Sequence, residues 1–315
     1  MLFSVLIANY NNSRYLKNAL DSVLSQSYTN WEVILVDDYS YDDFEKVIKN
    51  YKDESRIRVF SNAKNRGCGY TKRRCAELAS GKLSAFLDPD DYLHPEAIKT
   101  MVGAHIDNPE SSLIHSTHYL CDESLTVKRI AEYPRPLPHN TPYLLVSDGR
   151  VHHFASYKTS AYANTTGISA GNKKAVDQDL YYKLEEEGEI LFIDEPLYYY
   201  RIHSGGISTT GKEAEATLYH YRIIEEACLR RIAKLKLENS PNSKYWIQLY
   251  RTKYYKTKVL HSFKRKAYFY FALNLGVFPF VGGMGNVVSY LKKLPTQGLS
   301  LVRRSFFYDN KIRVD

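Results

Sequence analysis

The sequence predicts an α/β protein with a mostly parallel central sheet flanked by helices, followed by a mainly helical, basic C-terminal extension. Short apolar runs of strand length alternate with segments of helical spacing in the first third of the chain, and helical spacing dominates after Gly211. The 315 residues are 44% hydrophobic and 25% charged, which excludes disorder, collagen and coiled coil. We therefore expect two domains, residues 1–211 and 212–315.

Four apolar runs predict the first strands of the sheet, at residues 3–8, 31–36, 56–60 and 83–87. Apolar residues at helical spacing lie between them and predict helices at 13–24, 44–51 and 71–79. Pro95 suits the first position of a further helix, and another strand starts at Ser112. Because helices connect successive strands, the crossovers make these strands parallel and leave helices on both faces.

The second half of the chain is less regular. Residues 121–171 contain four prolines and several polar clusters, and they predict a mixed region with an active-site loop. A helix at 177–187 is closed by Gly188, and strands are expected at 190–193 and 198–201. Two helices, 216–237 and 244–271, complete the prediction.

Charge divides the chain unequally. Residues 212–315 carry 20 basic against 7 acidic side chains, a net charge of +13, whereas residues 1–211 carry 23 against 28, a net of −5. A basic tail needs an anionic partner or a solvated role, and the candidate partners are a membrane surface and a nucleic acid. No nucleic-acid-binding motif accompanies this tail, so we expect no nucleic acid partner. Four scattered cysteines indicate a reducing compartment.

A run of 25 residues without a charge, 267–291, lies in the extension between basic clusters. Glycine, proline and asparagine interrupt it, and three interpretations stay open: an interfacial or re-entrant anchor, a buried helix pair, and a membrane span. The first residues lack the pattern of a signal peptide and are predicted to form a strand instead. We expect a cytoplasmic protein, peripheral at the inner face of the membrane.

Polar side chains follow three of the predicted strands: Asn9-Tyr10, Asp37-Asp38, and Asp88-Pro89-Asp90-Asp91. Ligands of parallel α/β sheets bind beyond the carboxyl ends of the strands, so these groups are expected at one edge. Carboxylates gathered there repel each other unless a cation shares the site, and oxygen ligands favour Mg²⁺ or Mn²⁺. A diphosphate bridged by a divalent ion is the simplest occupant, although an aspartate pair taken alone is typical of a turn or a helix cap.

Small and basic residues before the third helix fit an anionic ligand. Gly67 and Gly69 allow close approach of the backbone, and Lys72 and Arg73 could offset phosphate charge. The glycine-rich fingerprint of dinucleotide-binding folds and the P-loop motif are both missing from the sequence. A dinucleotide-dependent dehydrogenase and a P-loop enzyme are therefore disfavoured.

The first 210 residues contain a series of ordered sequence blocks. The blocks are VLIANYN at 5–11, SVLSQSY at 22–28, EVILVDDYS at 32–40, NRG at 65–67, FLDPDD at 86–91, AVDQDL at 175–180 and YRIHSGGIS at 200–208. Together they resemble the family 2 glycosyltransferases, in particular those of bacterial cell-surface polysaccharide synthesis, which are inverting, nucleotide-sugar-dependent enzymes with the GT-A fold. The order and spacing of the blocks are more specific than any one of them.

The resemblance implies roles for individual residues. Asp177 would be the catalytic base, and the metal ligands would be Asp90, Asp91 and His203. The residues implied in nucleotide-sugar binding are Ala8, Tyr10, Asp38, Asn65, Gly67, Lys72, Asp88 and Asp90. Val176 and Tyr39 depart from the pattern, because they replace a usual glutamate and a common glycine.

The function implied is inverting transfer of a sugar from a nucleotide-diphosphate sugar, with a UDP-sugar expected, to a glycan or lipid-linked acceptor. Transfer would be a single displacement assisted by Mn²⁺ or Mg²⁺, and the extension could meet a membrane surface. Two alternatives stay open: a nucleotidyl or phosphoryl transferase, and a catalytically inactive nucleotide-sugar-binding or scaffold protein of the same fold. Intact Asp88, Asp90, Asp91 and Asp177 argue against the inactive protein.

Overall fold

The computed structural model describes residues 1–205 and 213–265, together with Ala267, Tyr270, Asn274 and Val277. The described residues group into two compact units, the first ending at His220 and the second beginning at Tyr221. The predicted domain boundary at residue 211 and most of the uncharged run 267–291 lie outside the described residues. Both stay predictions.

The first unit contains a mixed sheet with helices against it. Its strands, in the described residues, are β1 Phe3–Asn9, β2 Trp31–Asp37, β3 Ile57–Ser61, β4 Leu83–Phe86, β5 Tyr92–Leu93, β6 Ser111–Cys121, β7 Val127–Ile130, β8 Ala155–Lys158 and β9 Glu189–Arg201. The order across the sheet is β3-β2-β1-β4-β8-β6-β9-β5, and β7 pairs with β6. The predicted α/β class with flanking helices is confirmed.

The helices alternate with the strands in the first part of the chain, as the spacing predicts. They are α1 Ser13–Leu24, α2 Phe44–Ile48, α3 Cys68–Leu78, α4 Ala97–Asp107, α5 Tyr143–Val146, α6 Thr159–Asn164, α7 Val176–Leu184, α8 Glu213–Glu238 and α9 Ser243–Lys264. A 3₁₀ turn, Lys49–Tyr51, extends α2. The last of these helices ends at Lys264, and most of the remaining predicted stretch up to residue 271 lies outside the described residues.

Parallel pairing is confined to part of the sheet. β1 pairs in parallel with β2 and β4, β2 with β3, and β6 with β9. β8 lies antiparallel between β4 and β6, and β5 and β7 are antiparallel to β9 and β6. The predicted mostly parallel sheet therefore holds for β1 to β4, and the sheet as a whole is mixed because β8 inserts in the opposite direction.

The packing of the core explains why the sequences of β1 and β2 are continuous apolar runs. Alternate residues of β1, such as Phe3 and Val5, pack with α1 and α2 on one face. Leu6 is equally buried on the other face, where α3 packs and the Cys75 thiol lies 3.4 Å from the Ile7 carbonyl oxygen. Strands that helices cover on both faces are apolar throughout. Because these strands are also parallel, their carboxyl ends lie at one edge.

Candidate active site

The carboxyl ends of β1, β2 and β4 lie at one edge of the sheet, as the sequence predicts. Asn9 and Asp37 are register partners at the ends of β1 and β2, and the Asn9 amide nitrogen donates to an Asp37 carboxylate oxygen at 2.8 Å. Leu87 continues β4 by donating its N–H to the Leu6 carbonyl, which sets Asp88 beyond the same edge. Ala8 is half-buried here and Tyr10 is exposed.

Asp38 organises the loop that carries two of the predicted nucleotide-binding residues, Asn65 and Gly67. Its carboxylate is buried and accepts the backbone N–H groups of Arg66 and Gly67 at 2.8 and 2.7 Å. The Asn62 amide nitrogen donates to the same carboxylate at 2.7 Å. The buried carboxylate thus has three hydrogen-bond donors, which fix the backbone at Arg66 and Gly67. A nucleoside contact by Asp38 stays a prediction, and it would have to use the remaining lone-pair capacity.

The loops after β1 and β2 adjoin at this edge and carry tyrosines. The Ser40 hydroxyl donates to Asp37 at 2.6 Å and accepts the backbone N–H of Asn11 at 2.8 Å, which joins the loop after β1 to the loop after β2. Tyr10 and Tyr41 meet edge to face, with ring centroids 6.3 Å apart. Tyr39 adopts a left-handed backbone conformation with φ +68°, where glycine is common and tyrosine is not.

Lys72 of α3 connects two carboxylates that the sequence placed in different roles. Its ammonium lies 2.9 and 3.0 Å from the two carboxylate oxygens of Asp177 and 3.3 Å from one of Asp88. Burial lowers the pKa of Lys72, but the charges of Asp177 and Asp88 outweigh it and hold this pKa well above its ordinary value. Lys72 is therefore a charged group between the predicted base and the predicted donor site.

Asp177 and Asp179 of α7 have different surroundings, although both lie in the first turn. Asp177 keeps a third of its side chain exposed, as a base that meets an acceptor requires. Asp179 is buried, receives the Ser169 hydroxyl at 2.6 Å and pairs with Lys183 at 2.8 Å. Lys183 also donates to the Gly167 carbonyl oxygen at 2.7 Å, so this pair joins α7 to the preceding loop.

Asp90 and His203 form the pair that best fits a divalent metal. The His203 Nε2 lies 2.9 Å from an Asp90 carboxylate oxygen. Burial and the nearby Asp88 carboxylate raise the pKa of Asp90. A bound cation would stabilise the charged form of this carboxylate. Within residues 1–205 and 213–265, no group of three or more histidine, cysteine, aspartate or glutamate side chains is arranged to hold a metal. Donor phosphates would supply the other ligands.

Asp91 anchors β9 to the loop after β4. One carboxylate oxygen accepts the Tyr198 hydroxyl at 2.7 Å, and the other accepts the backbone N–H of Arg201 at 2.7 Å. Burial raises the pKa of Asp91 well above its ordinary range, and the Asp90 and Asp88 charges add to the effect. Both Asp91 oxygens are therefore engaged inside the protein, and the metal-ligand role of Asp91 stays a prediction.

The structure adds residues that the sequence did not single out. The Arg201 guanidinium donates to the Asp90 carbonyl oxygen at 2.6 Å, and its position two residues before His203 was the available signal. His153 stacks on Tyr198 and Tyr200, with both pairs of ring centroids 5.2 Å apart, and its Nδ1 lies 4.0 Å from an Asp88 oxygen. Burial and the nearby His118 lower the pKa of His153 to about 3, so the imidazole is neutral. Nothing in the sequence places His153 beside Asp88.

The chain matches one protein family over half of its length. The profile described as glycosyl transferase family 2 matches residues 4–166. The chondroitin synthase of Escherichia coli is 28% identical over 242 residues, which cover 76% of this chain and 34% of that protein. The hyaluronan synthase of Pasteurella multocida is 24% identical and covers 73% of this chain and 23% of its own length. The chain thus spans about a third or less of these two relatives.

Solved structures share the fold. The fragment 1–349 of S. aureus TarS in complex with UDP-GlcNAc superposes with a TM-score of 0.57 at 18% identity, covering 90% of each chain. The mannosyltransferase PcManGT of Pyrobaculum calidifontis, in complex with GDP-Man and Mn²⁺, superposes with a TM-score of 0.55 at 15% identity, covering 94% of this chain and 80% of its own. At these identities the likeness shows the fold.

Proposed function

The chain belongs to glycosyl transferase family 2 and is a glycosyltransferase, and from that premise we propose that it is an inverting enzyme whose donor is a nucleotide-diphosphate sugar. The proposal depends above all on one observation. Asp88, Lys72 and Asp177 lie within ion-pair distance in a single cluster at the sheet edge. The cluster joins the predicted donor side to the predicted base, as a single displacement requires.

In the proposed reaction, an acceptor hydroxyl oxygen forms a bond to the anomeric carbon while the bond from that carbon to the diphosphate oxygen breaks. Asp177 accepts the hydroxyl proton, and its partial exposure leaves room for the acceptor. Asp90 and His203 would hold Mn²⁺ or Mg²⁺ together with the donor phosphates, and such an ion stabilises the charge of the leaving diphosphate. Ala8, Tyr10, Asp38, Asn65 and Gly67 would surround the nucleoside.

Solved structures of similar fold support the donor class, and the sequence relatives support the acceptor class. TarS holds UDP-GlcNAc in the structure compared above, and PcManGT holds GDP-Man with Mn²⁺. We propose a UDP-sugar for this chain, and we propose a glycan or lipid-linked acceptor because the sequence relatives are named as polysaccharide synthases. Arg201, which holds the Asp90 loop in place, is proposed as a positioning residue.

The experiment is release of nucleoside diphosphate from a panel of donors with Mn²⁺. UDP-GlcNAc, UDP-glucuronic acid and GDP-mannose are tested with chondroitin and hyaluronan oligosaccharides as acceptor probes. We expect one donor to be consumed in a metal-dependent and acceptor-dependent way. Metal-dependent binding of UDP without any turnover would instead favour the inactive nucleotide-sugar-binding protein, and absence of both would refute the proposal.

We further propose that the C-terminal helices meet an anionic membrane surface on the cytoplasmic side. The 22 residues of α9 include no acidic side chain, and its exposed positions include Lys244, Arg251 and Lys256 beside exposed Tyr245 and Phe263. Basic and aromatic side chains on one helix suit anionic headgroups. No helix of the described residues has the length and apolar character needed to span a bilayer.

Flotation of the full chain with vesicles tests this surface. We expect binding to phosphatidylglycerol-containing vesicles that falls with added salt, and weak binding to phosphatidylcholine alone. Changing Lys244, Arg251 and Lys256 together to glutamine should reduce flotation by about tenfold. The same change at exposed Lys46, Lys49 and Lys52 of the first unit is the matched control. Equal losses in both triple variants would contradict the assignment of the surface to α9.

A further inference from the structure

Lys72 holds the predicted base, Asp177, in an ion pair. Both Asp177 oxygens lie within 3.0 Å of its ammonium, and the third oxygen in reach belongs to Asp88 at 3.3 Å. The Lys72 side chain is 7% exposed, so water screens this cluster weakly. One cation thus serves two carboxylates, and the cluster has an excess of one negative charge.

This arrangement disfavours proton acceptance by Asp177. An acceptor hydroxyl would have to hydrogen-bond to a carboxylate whose charge is already neutralised by a close ammonium. A second lysine–aspartate pair lies entirely within α7, the helix that carries Asp177. It shows the surroundings of a pair that only stabilises the fold. Lys183 and Asp179 are 6% and 3% exposed, and Lys183 is fixed further by the Gly167 carbonyl. Lys72 differs, because its acceptors are two carboxylates at the edge where a donor would bind.

A diphosphate at this edge would compete for the ammonium. It brings at least two negative charges next to Asp88, and lysine is a compact cation on a flexible stem that can turn without movement of its helix. The Lys72 ammonium also lies 4.8 Å from the centre of the Phe86 ring, in a cation–π contact. The cost of leaving Asp177 is therefore offset when phosphate oxygens replace it.

We propose that Lys72 is a positioning residue that couples donor binding to release of the base. Without a donor, its ammonium is paired with Asp177. When the donor diphosphate arrives, the ammonium moves to the phosphate oxygens and leaves the Asp177 carboxylate open to the acceptor hydroxyl. Binding is therefore ordered, with the donor first and the acceptor second. This inference rests on the proposed function.

The test is a double-mutant cycle on nucleotide affinity, measured by calorimetry with Mn²⁺ and read with UDP and, in parallel, with uridine. Asp177→Asn should tighten UDP binding about fivefold, because Lys72 no longer divides its charge between Asp177 and the diphosphate. Uridine affinity should not change. In a Lys72→Met background, Asp177→Asn should change UDP affinity by less than about twofold, and Lys72→Arg should keep most of the wild-type affinity.

The outcomes separate the two proposals. If the wild-type protein binds neither UDP nor GDP, the proposed function fails. If it binds UDP and Asp177→Asn tightens binding equally with and without Lys72, general electrostatics explain the effect and the coupling is refuted. An unchanged or weaker UDP affinity in Asp177→Asn refutes it as well. Lys72→Gln is run beside Lys72→Met, so that the cycle can be completed where the methionine variant fails to fold.

Discussion

The two carboxylates after β2 and two of the three after β4, Asp88 and Asp90, lie at the same sheet edge but have different partners. Asp37 and Asp38 accept hydrogen bonds from amides, hydroxyls and backbone N–H groups, and these bonds hold two loops together. Asp88 and Asp90 instead face side chains that carry or can carry positive charge, Lys72 and His203. The type of donor therefore distinguishes carboxylates that hold loops together from those that are paired with basic side chains, and the second kind is the one proposed to meet phosphate and metal charge.

The largest effect should come from the base. Asp177→Asn should reduce sugar transfer by about 10²- to 10⁴-fold, because an amide cannot accept the hydroxyl proton. Stability should change little, since Asp177 is partly exposed. Turnover and thermal unfolding of the variant are compared with those of Asp194→Asn, an exposed aspartate of β9. Retention of more than half of the wild-type turnover would remove Asp177 from its role.

For the carboxylates after β2 we expect the opposite of the result for Asp177, namely a large effect on stability. Asp38→Ala should lower the free energy of unfolding by about 3 kcal/mol, because three hydrogen bonds to a buried carboxylate are lost, from the N–H groups of Arg66 and Gly67 and from the Asn62 amide. Asp38→Asn keeps one oxygen and should lose about half as much. Urea unfolding of the two variants measures the difference. A stability loss below about 1 kcal/mol in Asp38→Ala would break the distinction between the two groups of carboxylates.

The sequence predicted the parallel part of the sheet well and the site in part. β1 to β4 follow apolar runs whose period and length are local signals, and their shared edge follows from the parallel direction that helical crossovers impose. The insertion of β8 between β4 and β6 depends on pairing between distant residues, which spacing cannot reveal. Asp91 and Asp90 are adjacent in one motif, and only the fold brings Tyr198 and Arg201 to Asp91.

Asp148, a carboxylate outside the site, is paired with two arginines and extends the comparison of carboxylate partners. Burial raises the pKa of Asp148, but hydrogen bonds from Arg150 and Arg135 outweigh it and bring the pKa to about 2. A lowered folded-state pKa adds stability that is complete above about pH 4 and is lost as the pH falls towards 2. With discount for partial exposure, the contribution is about 1 kcal/mol.

The measurement is urea unfolding of the wild-type protein and Asp148→Asn between pH 6 and pH 2. The stability difference between them should be about 1 kcal/mol at pH 6 and should vanish near pH 2. A difference that stays constant over this range would show that the two arginines act on Asp148 through packing rather than through charge.

The smallest effect concerns the backbone of the loop after β2. Tyr39→Gly should stabilise the protein by no more than about 1 kcal/mol, because relief of the left-handed strain exceeds the added entropy of the unfolded chain only slightly. Thermal unfolding gives the sign. Tyr41→Gly, at a neighbouring exposed residue without positive φ, serves as control and should be destabilising. Destabilisation by Tyr39→Gly would mean that the tyrosine side chain makes contacts that outweigh the strain.

The account depends on the carboxylates after β4 binding a diphosphate through a divalent ion. Calorimetric titration of UDP into the wild-type protein and Asp90→Asn, each with Mn²⁺ and with a chelator, tests this most directly. We predict that the chelator weakens UDP binding to the wild-type protein by more than about tenfold, and that Asp90→Asn binds UDP weakly whether or not Mn²⁺ is present. Tight UDP binding that depends on neither Mn²⁺ nor Asp90 would contradict the account.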